Sequence, residues 1–317
     1  MVDILNKILN LKPVLFLARI SKKIVLPGFD GLPLYNVAVF FIKGLYEGSI
    51  TTRASAVSFS FFLAIFPSLI FLFTIIPFIP IQNFQQSLLM IIQDFIPGPT
   101  YLSVKETIED IVTHPRGGLL SLGFVLALYF ATSGIHNLID AFNSTYHSIE
   151  TRSVIRQRLI SIFLVIILSF LLIISIGLMT FGTNLLGWFL PAEILKSGFY
   201  LVGIWLIKWL IILATLFFAI SFIYYFAPAK KENFRFISAG STLATLLVVI
   251  TTQGINFYVS NFSKYNALYG SIGTLLIILL WIYFNAISLL IGFELNVSIV
   301  NARKKQENPD YESRDFI

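Results

Sequence analysis

Six stretches of this chain each run for more than twenty residues without one Asp, Glu, Lys or Arg: 54–93, 117–139, 159–192, 209–229, 236–263 and 265–293. An α-helix rises about 1.5 Å per residue, so roughly 20 apolar residues cross the hydrocarbon core of a bilayer. Inside that core every backbone N–H and C=O must find a partner within the segment, which leaves helices or closed barrels. Runs of this length, without period-two alternation, specify helices. The first stretch is too long for one span and is broken by Pro77 and Pro80, so the span ends near 78. The expected fold is therefore all-α, a polytopic membrane helix bundle with spans at about 54–78, 118–140, 159–187, 200–227, 236–260 and 270–299.

Composition agrees with that reading. Hydrophobic residues make up 57% of the 317 residues and charged residues 12%, against about a quarter charged in soluble domains. The absence of cysteine excludes disulfides, thiolate metal sites and cysteine nucleophiles. The net charge of +6 is read as loop Lys and Arg meeting anionic headgroups. Membrane lipids are thus the expected partners and nucleic acid is not. No cleavable signal peptide is evident, so the first span is expected to act as a retained anchor.

The basic residues also orient the spans. Arg and Lys are abundant before the first span (Lys7, Lys12, Arg19, Lys22, Lys23, Lys43, Arg53) and between the second and third (Arg152, Arg156, Arg158). They recur between the fourth and fifth (Lys230, Lys231, Arg235) and after the sixth (Arg303, Lys304, Lys305, Arg314). The alternate connections hold only Lys105, Arg116, Lys196 and Lys264. Such a bias places both termini in the cytoplasm. Residues 1–50 read as amphipathic helices on the cytoplasmic membrane face, with Leu34, Val37, Phe41 and Leu45 at helical spacing. Residues 81–116 form an external helical segment, and 301–317 a polar, disordered cytoplasmic tail.

Three histidines, His114, His136 and His147, form no HxH or HExxH spacing, and neither a Walker A motif nor GxSxG occurs. No cofactor, no metal and no catalytic residue is expected, and the chain is not read as an enzyme. Ionisable groups at membrane depth carry the functional hypothesis instead. With the orientation above, Arg53, His136, Asp140 and Glu294 fall at one inner level, with Asn143 and Asn296 nearby. Such a cluster reads either as a gate or headgroup-binding site, or as a buried ion pair, such as Arg53 with Glu294, that fixes helix register. Lys208 lies about 10 Å deep from the outer side; it either snorkels to outer headgroups or faces a cavity. Pro67 is expected to kink the first span or hinge it. Gly240, Gly270 and Gly273 permit close backbone approach.

Four ordered motifs give the chain a resemblance to a known family. They are Arg53-Ala54-Ser55-Ala56 with Phe59 and Pro67; Ser133-Gly134, Asp140-Ala141, Asn143 and Tyr146 followed by Arg152, Arg156 and Arg158; Tyr225 and Pro228 with Ala239-Gly240; and Tyr269-Gly270-Ser271, Gly273, Trp281, Tyr283, Gly292, Glu294 and Asn296. Over roughly residues 35–300 the chain resembles the YihY/BrkB family of bacterial inner-membrane proteins. Phe293 stands where a small residue is often found, and Ser55 interrupts an alanine run. The resemblance implies six helices in a cell inner membrane. The family has carried the label ribonuclease BN, which the histidine and acid spacing does not support. It has also been linked to envelope function, and transport has been suggested.

Two further readings stand beside the ribonuclease label: a transporter or flippase-like protein for an envelope lipid or other amphiphile, and a non-transporting scaffold or partner subunit of envelope machinery. Oligomeric state is not encoded in any pattern found. The charge bias predicts that a fluorescent protein fused to the C-terminus is bright. Alkaline phosphatase fused after Lys105 should be active, and the reverse pair of results would invert the topology.

Overall fold

A computed structural model describes residues 20–78, 110, 114–145, 152–189, 198–229, 235–261 and 271–308. The sequence readings for residues 1–19, most of 81–116, Gly270 and 309–317 lie outside the described residues. Among the described residues there are seven α-helices: α1 (Leu34–Glu47), α2 (Ile50–Ile75), α3 (Gly117–Thr145), α4 (Val154–Phe189), α5 (Gly198–Phe226), α6 (Ala239–Asn261) and α7 (Ser271–Glu307). A 3-10 turn, Ile76–Phe78, closes α2. Helices α2 to α7 are the six that are long and apolar enough to cross a membrane. Their large side chains point outward, as with Phe170, Leu210 and Phe257, each more than 60% exposed. Exposed apolar surface on this scale is what lipid, and not water, stabilises.

The chain divides into two compact units, residues 1–58 with 135–317, and residues 59–134. The smaller unit pairs the rest of α2 with the first part of α3. Its contacts are made possible by glycine: a Cβ on Gly123 would lie 3.1 Å from the Phe71 backbone, and one on Gly134 would lie 3.0 Å from the Phe61 ring. Pro67 is buried inside α2, which continues through it.

In the larger unit α6 and α7 lie against each other along a polar and small-residue seam. Gly240 and Gly292 face each other so closely that a Cβ on Gly292 would stand 2.5 Å from the Gly240 carbonyl oxygen and 2.6 Å from the Tyr224 hydroxyl. Further along, the hydroxyls of Thr251 and Ser288 are 3.3 Å apart, and Trp281 Nε1 donates to Thr252 Oγ1 at 3.2 Å. Small residues give this approach because lipid supplies no hydrophobic drive between helices, so dispersion contacts and hydrogen bonds must do so. Three rings tie α3, α5 and α7 together: Phe142 stacks on Phe293 at 4.1 Å, and Tyr224 meets both edge-on. Phe293, the departure from the family pattern, is thus a fully buried packing residue.

The end of α7 beyond the seam is engaged by the rest of the larger unit. Helix α1 docks one face on α7: Val37, with Phe29 and Leu32 before the helix, packs on Leu295, Ile299 and Ala302. The polar tail does not begin at 301, because α7 continues to Glu307. Burial of Ala302 and an ion pair from Arg303 to Asp30 hold that extension. Gly240→Ala is expected to cost about 1–3 kcal/mol, the usual penalty of overpacking. Gly254→Ala, where nothing lies within 4 Å, should be neutral or slightly stabilising by helix propensity. Thermal unfolding of the two variants in one detergent tests the contrast.

Candidate functional site

The larger unit gathers polar side chains at the end formed by the start of α2, the end of α3, the α5–α6 connection and the last turns of α7. Arg53, in the first turn of α2, reaches across to α3. Its Nη1 donates to the Ala141 carbonyl at 2.7 Å and to Thr145 Oγ1. The same guanidinium borders the final turn of α1, where a Cβ on Gly48 would lie 2.7 Å from Nη2. Carbonyl groups unsatisfied at a helix C-terminus favour a cation there. Arg53 Nε and Nη2 are buried and have no hydrogen-bond partner. Unpaired buried donors of this kind are rare in folded proteins and costly.

Glu294 of α7 is 2% exposed. Its carboxylate lies on the Cα of Gly44, so close that any side chain there would overlap Oε1. Arg53 and Glu294 therefore flank the same turn of α1, and their charges act on one another through space. Among the described residues, no ion pair within 4 Å joins them. Gly44 was missed in the sequence, although a glycine on the buried face of an amphipathic helix is a signal of close approach.

The other predicted members separate. Asn143 accepts a hydrogen bond from the Ala229 N–H at 2.9 Å. Nearby Arg152 donates to the Ala227 carbonyl at 3.0 Å, so both hold the α5–α6 connection. Asn296 caps α6: its Oδ1 accepts from the Gly240 N–H at 2.8 Å, and its Nδ2 donates to Ser238 Oγ at 2.9 Å. Ser238 and Ser241 complete that cap reciprocally, supplying acceptors that a helix N-terminus lacks. His136 and Asp140 pair with each other, 3.6 Å apart one turn along α3, with the Asp140 side chain half exposed. Lys208 is exposed on α5. Gly273 is buried. Among the described residues, no group of three or more His, Cys, Asp or Glu side chains could hold a metal ion.

A six-span helical architecture with buried charge near one end of its larger unit defines a polytopic membrane protein. The family described as Virulence factor BrkB matches residues 41–316, and the chain belongs to that family. It is similar to the putative ribonuclease-like protein YfkH of Bacillus subtilis (strain 168), 31% identical over 84% of this chain and 95% of the relative. It is also similar to the UPF0761 membrane protein NTHI0384 of Haemophilus influenzae (strain 86-028NP), 26% identical over 83% and 95%. A UPF0761 membrane protein of Aggregatibacter aphrophilus (strain NJ8700) is 25% identical over 82% and 90%. No solved structure matches.

Since Gly44 and Glu294 share one space, their substitutions should be non-additive. The stability lost in Gly44→Ala should shrink by about 1 kcal/mol when Glu294→Ala is also present. A double-mutant cycle by denaturation of the detergent-solubilised protein measures that coupling, and strict additivity would deny the contact.

Proposed function

We propose that the chain is a transporter or flippase-like protein of the bacterial inner membrane, with both termini cytoplasmic, that moves an anionic envelope lipid or similar amphiphile. The observation that carries this reading is Arg53: a guanidinium at the end of a membrane span, with two buried donor nitrogens, Nε and Nη2, that have no hydrogen-bond partner among the described residues. A phosphate or carboxylate headgroup is the natural partner for a planar fork of donors. Glu294 beside it offers a counter-charge that an arriving anion would repel, so headgroup binding would compete with the Arg53–Glu294 attraction. Such competition is a means of coupling occupancy to helix position. Lys208, exposed on α5, has no part in this site.

The name of the Bacillus subtilis relative raises ribonuclease activity as a second reading. The residue chemistry favours the lipid: the described residues offer no group of three or more acids or histidines that could hold a metal ion and do offer a partly buried cation with unpaired donor atoms.

Reconstitution into vesicles carrying a fluorescent phosphatidylglycerol, with dithionite bleaching from outside, tests the proposal. The wild-type protein should accelerate transbilayer movement of the probe. Arg53→Ala should slow it about tenfold or more, because a hydrogen bond to a charged group contributes roughly 1.5–3 kcal/mol. Lys208→Gln should match wild type. Movement no faster than in protein-free vesicles, from protein shown to be folded, would overturn the reading in favour of a non-transporting scaffold.

A further inference from the structure

Helix α1 has two apolar faces, and α7 covers only one. Val37 and Gly44 are buried, and Phe40 and Phe41 pack against the α7 cluster. On the opposite side, Tyr35, Val39, Ile42 and Tyr46 follow at spacings of four, three and four residues, which places them on one stripe. Val39 is 48% exposed, Ile42 61% and Tyr46 68%. Three large side chains in a row, turned outward, are not what a water-facing helix presents.

Three further observations identify what covers the stripe. Helix α1 is separated from the first spanning helix, which opens at Ile50, by Gly48 and Ser49 alone. That connection pins α1 to the end of a span, at the height where hydrocarbon gives way to headgroups. The stripe begins and ends in tyrosine, a residue whose ring and hydroxyl suit that boundary. Its flanks are basic: Lys43 is exposed beside Ile42, Lys22 lies 4.8 Å over the Tyr35 ring, and Lys23 is exposed next to it. Of the nearby acids, Asp30 is engaged by Arg235 at 3.0 Å and by Arg303, and Glu47 closes α1 beside Tyr46. The Asp30 charge is therefore neutralised, and Lys22, Lys23 and Lys43 outnumber Glu47, so the surrounding field is positive.

We propose that the Tyr35–Val39–Ile42–Tyr46 face of α1 is a lipid-binding surface. It lies in the interfacial layer of an anionic leaflet, with Lys22, Lys23 and Lys43 at the level of the phosphates. The helix is thus an interfacial one whose inner face is docked on α7 and whose outer face is docked on lipid. The surface differs from the Arg53 site and stands whether or not the protein moves lipid.

The absence of cysteine permits a direct test on the full chain. Single-cysteine variants Val39→Cys, Ile42→Cys and Tyr46→Cys carry a nitroxide in nanodiscs of phosphatidylcholine with phosphatidylglycerol. Leu210→Cys on α5 serves as the lipid-facing reference, and Gln306→Cys at the exposed end of α7 as the aqueous one. The expected result is an oxygen accessibility several-fold above that for a nickel chelate at 39, 42 and 46, at a depth shallower than at 210. Replacing phosphatidylglycerol by phosphatidylcholine should shift the three labels outward. Nickel accessibility equal to that at 306 would place the stripe in water and overturn the proposal. Low accessibility to both reagents, with spin–spin broadening between copies, would assign the stripe to a second copy and overturn it equally. Label depths indifferent to phosphatidylglycerol would overturn the part played by the lysines.

Discussion

The architecture of the larger unit depends on the contact between Gly240 and Gly292. Two backbones that meet without side chains bring α6 and α7 near enough for Asn296 to reach the first N–H groups of α6. With any larger residue at either position, that cap would be out of reach and the Gly240 N–H would be left buried and unpaired. The Tyr224 hydroxyl, which donates to the Leu289 carbonyl at 2.5 Å, fits beside the same glycine. Helix α5 is thereby keyed to α7 as well.

From that fixed pair the remainder follows by contact. The face of α7 that continues beyond Glu294 receives Phe29, Leu32 and Val37, so the segment before the first span becomes part of the core. The docked position of α1 then sets Gly44 over the Glu294 carboxylate and Gly48 beside the Arg53 guanidinium. A buried acid and a partly buried base are held on either side of one helical turn without being joined. Direct pairing would have satisfied both charges internally. Their separation leaves Arg53 Nε and Nη2 without hydrogen-bond partners among the described residues, and the proposed headgroup binding rests on those atoms.

Much of this was legible in one dimension. Arg53 and Glu294 stand out because each closes a long charge-free run, and they do lie at one level of the larger unit. The i to i+4 spacing of His136 and Asp140 was equally readable, and they do pair. What spacing could not reveal is that the Asp140 side chain is half exposed. Asn143 and Asn296, grouped with the charges by sequence, instead hold the α5–α6 connection and the α6 N-terminus. An asparagine in an apolar helix advertises a need for partners without naming them. The helix beyond Asn301 escaped notice because its charged composition resembles that of a solvated tail. Its order comes from Asp30, about 270 residues earlier.

The sequence by itself determined the number of spans, their places and the family. Hydropathy along a chain is a local property, and a bilayer leaves an apolar run of twenty residues only one economical conformation. The charge count adds an expected orientation, which rests on loop composition and is likewise local. Only the tertiary structure decided which charges meet, which glycines touch, and which face of α1 remains uncovered. Those outcomes depend on the rotation of each helix about its own axis, and that angle is set by the side chains of neighbours far away in the chain.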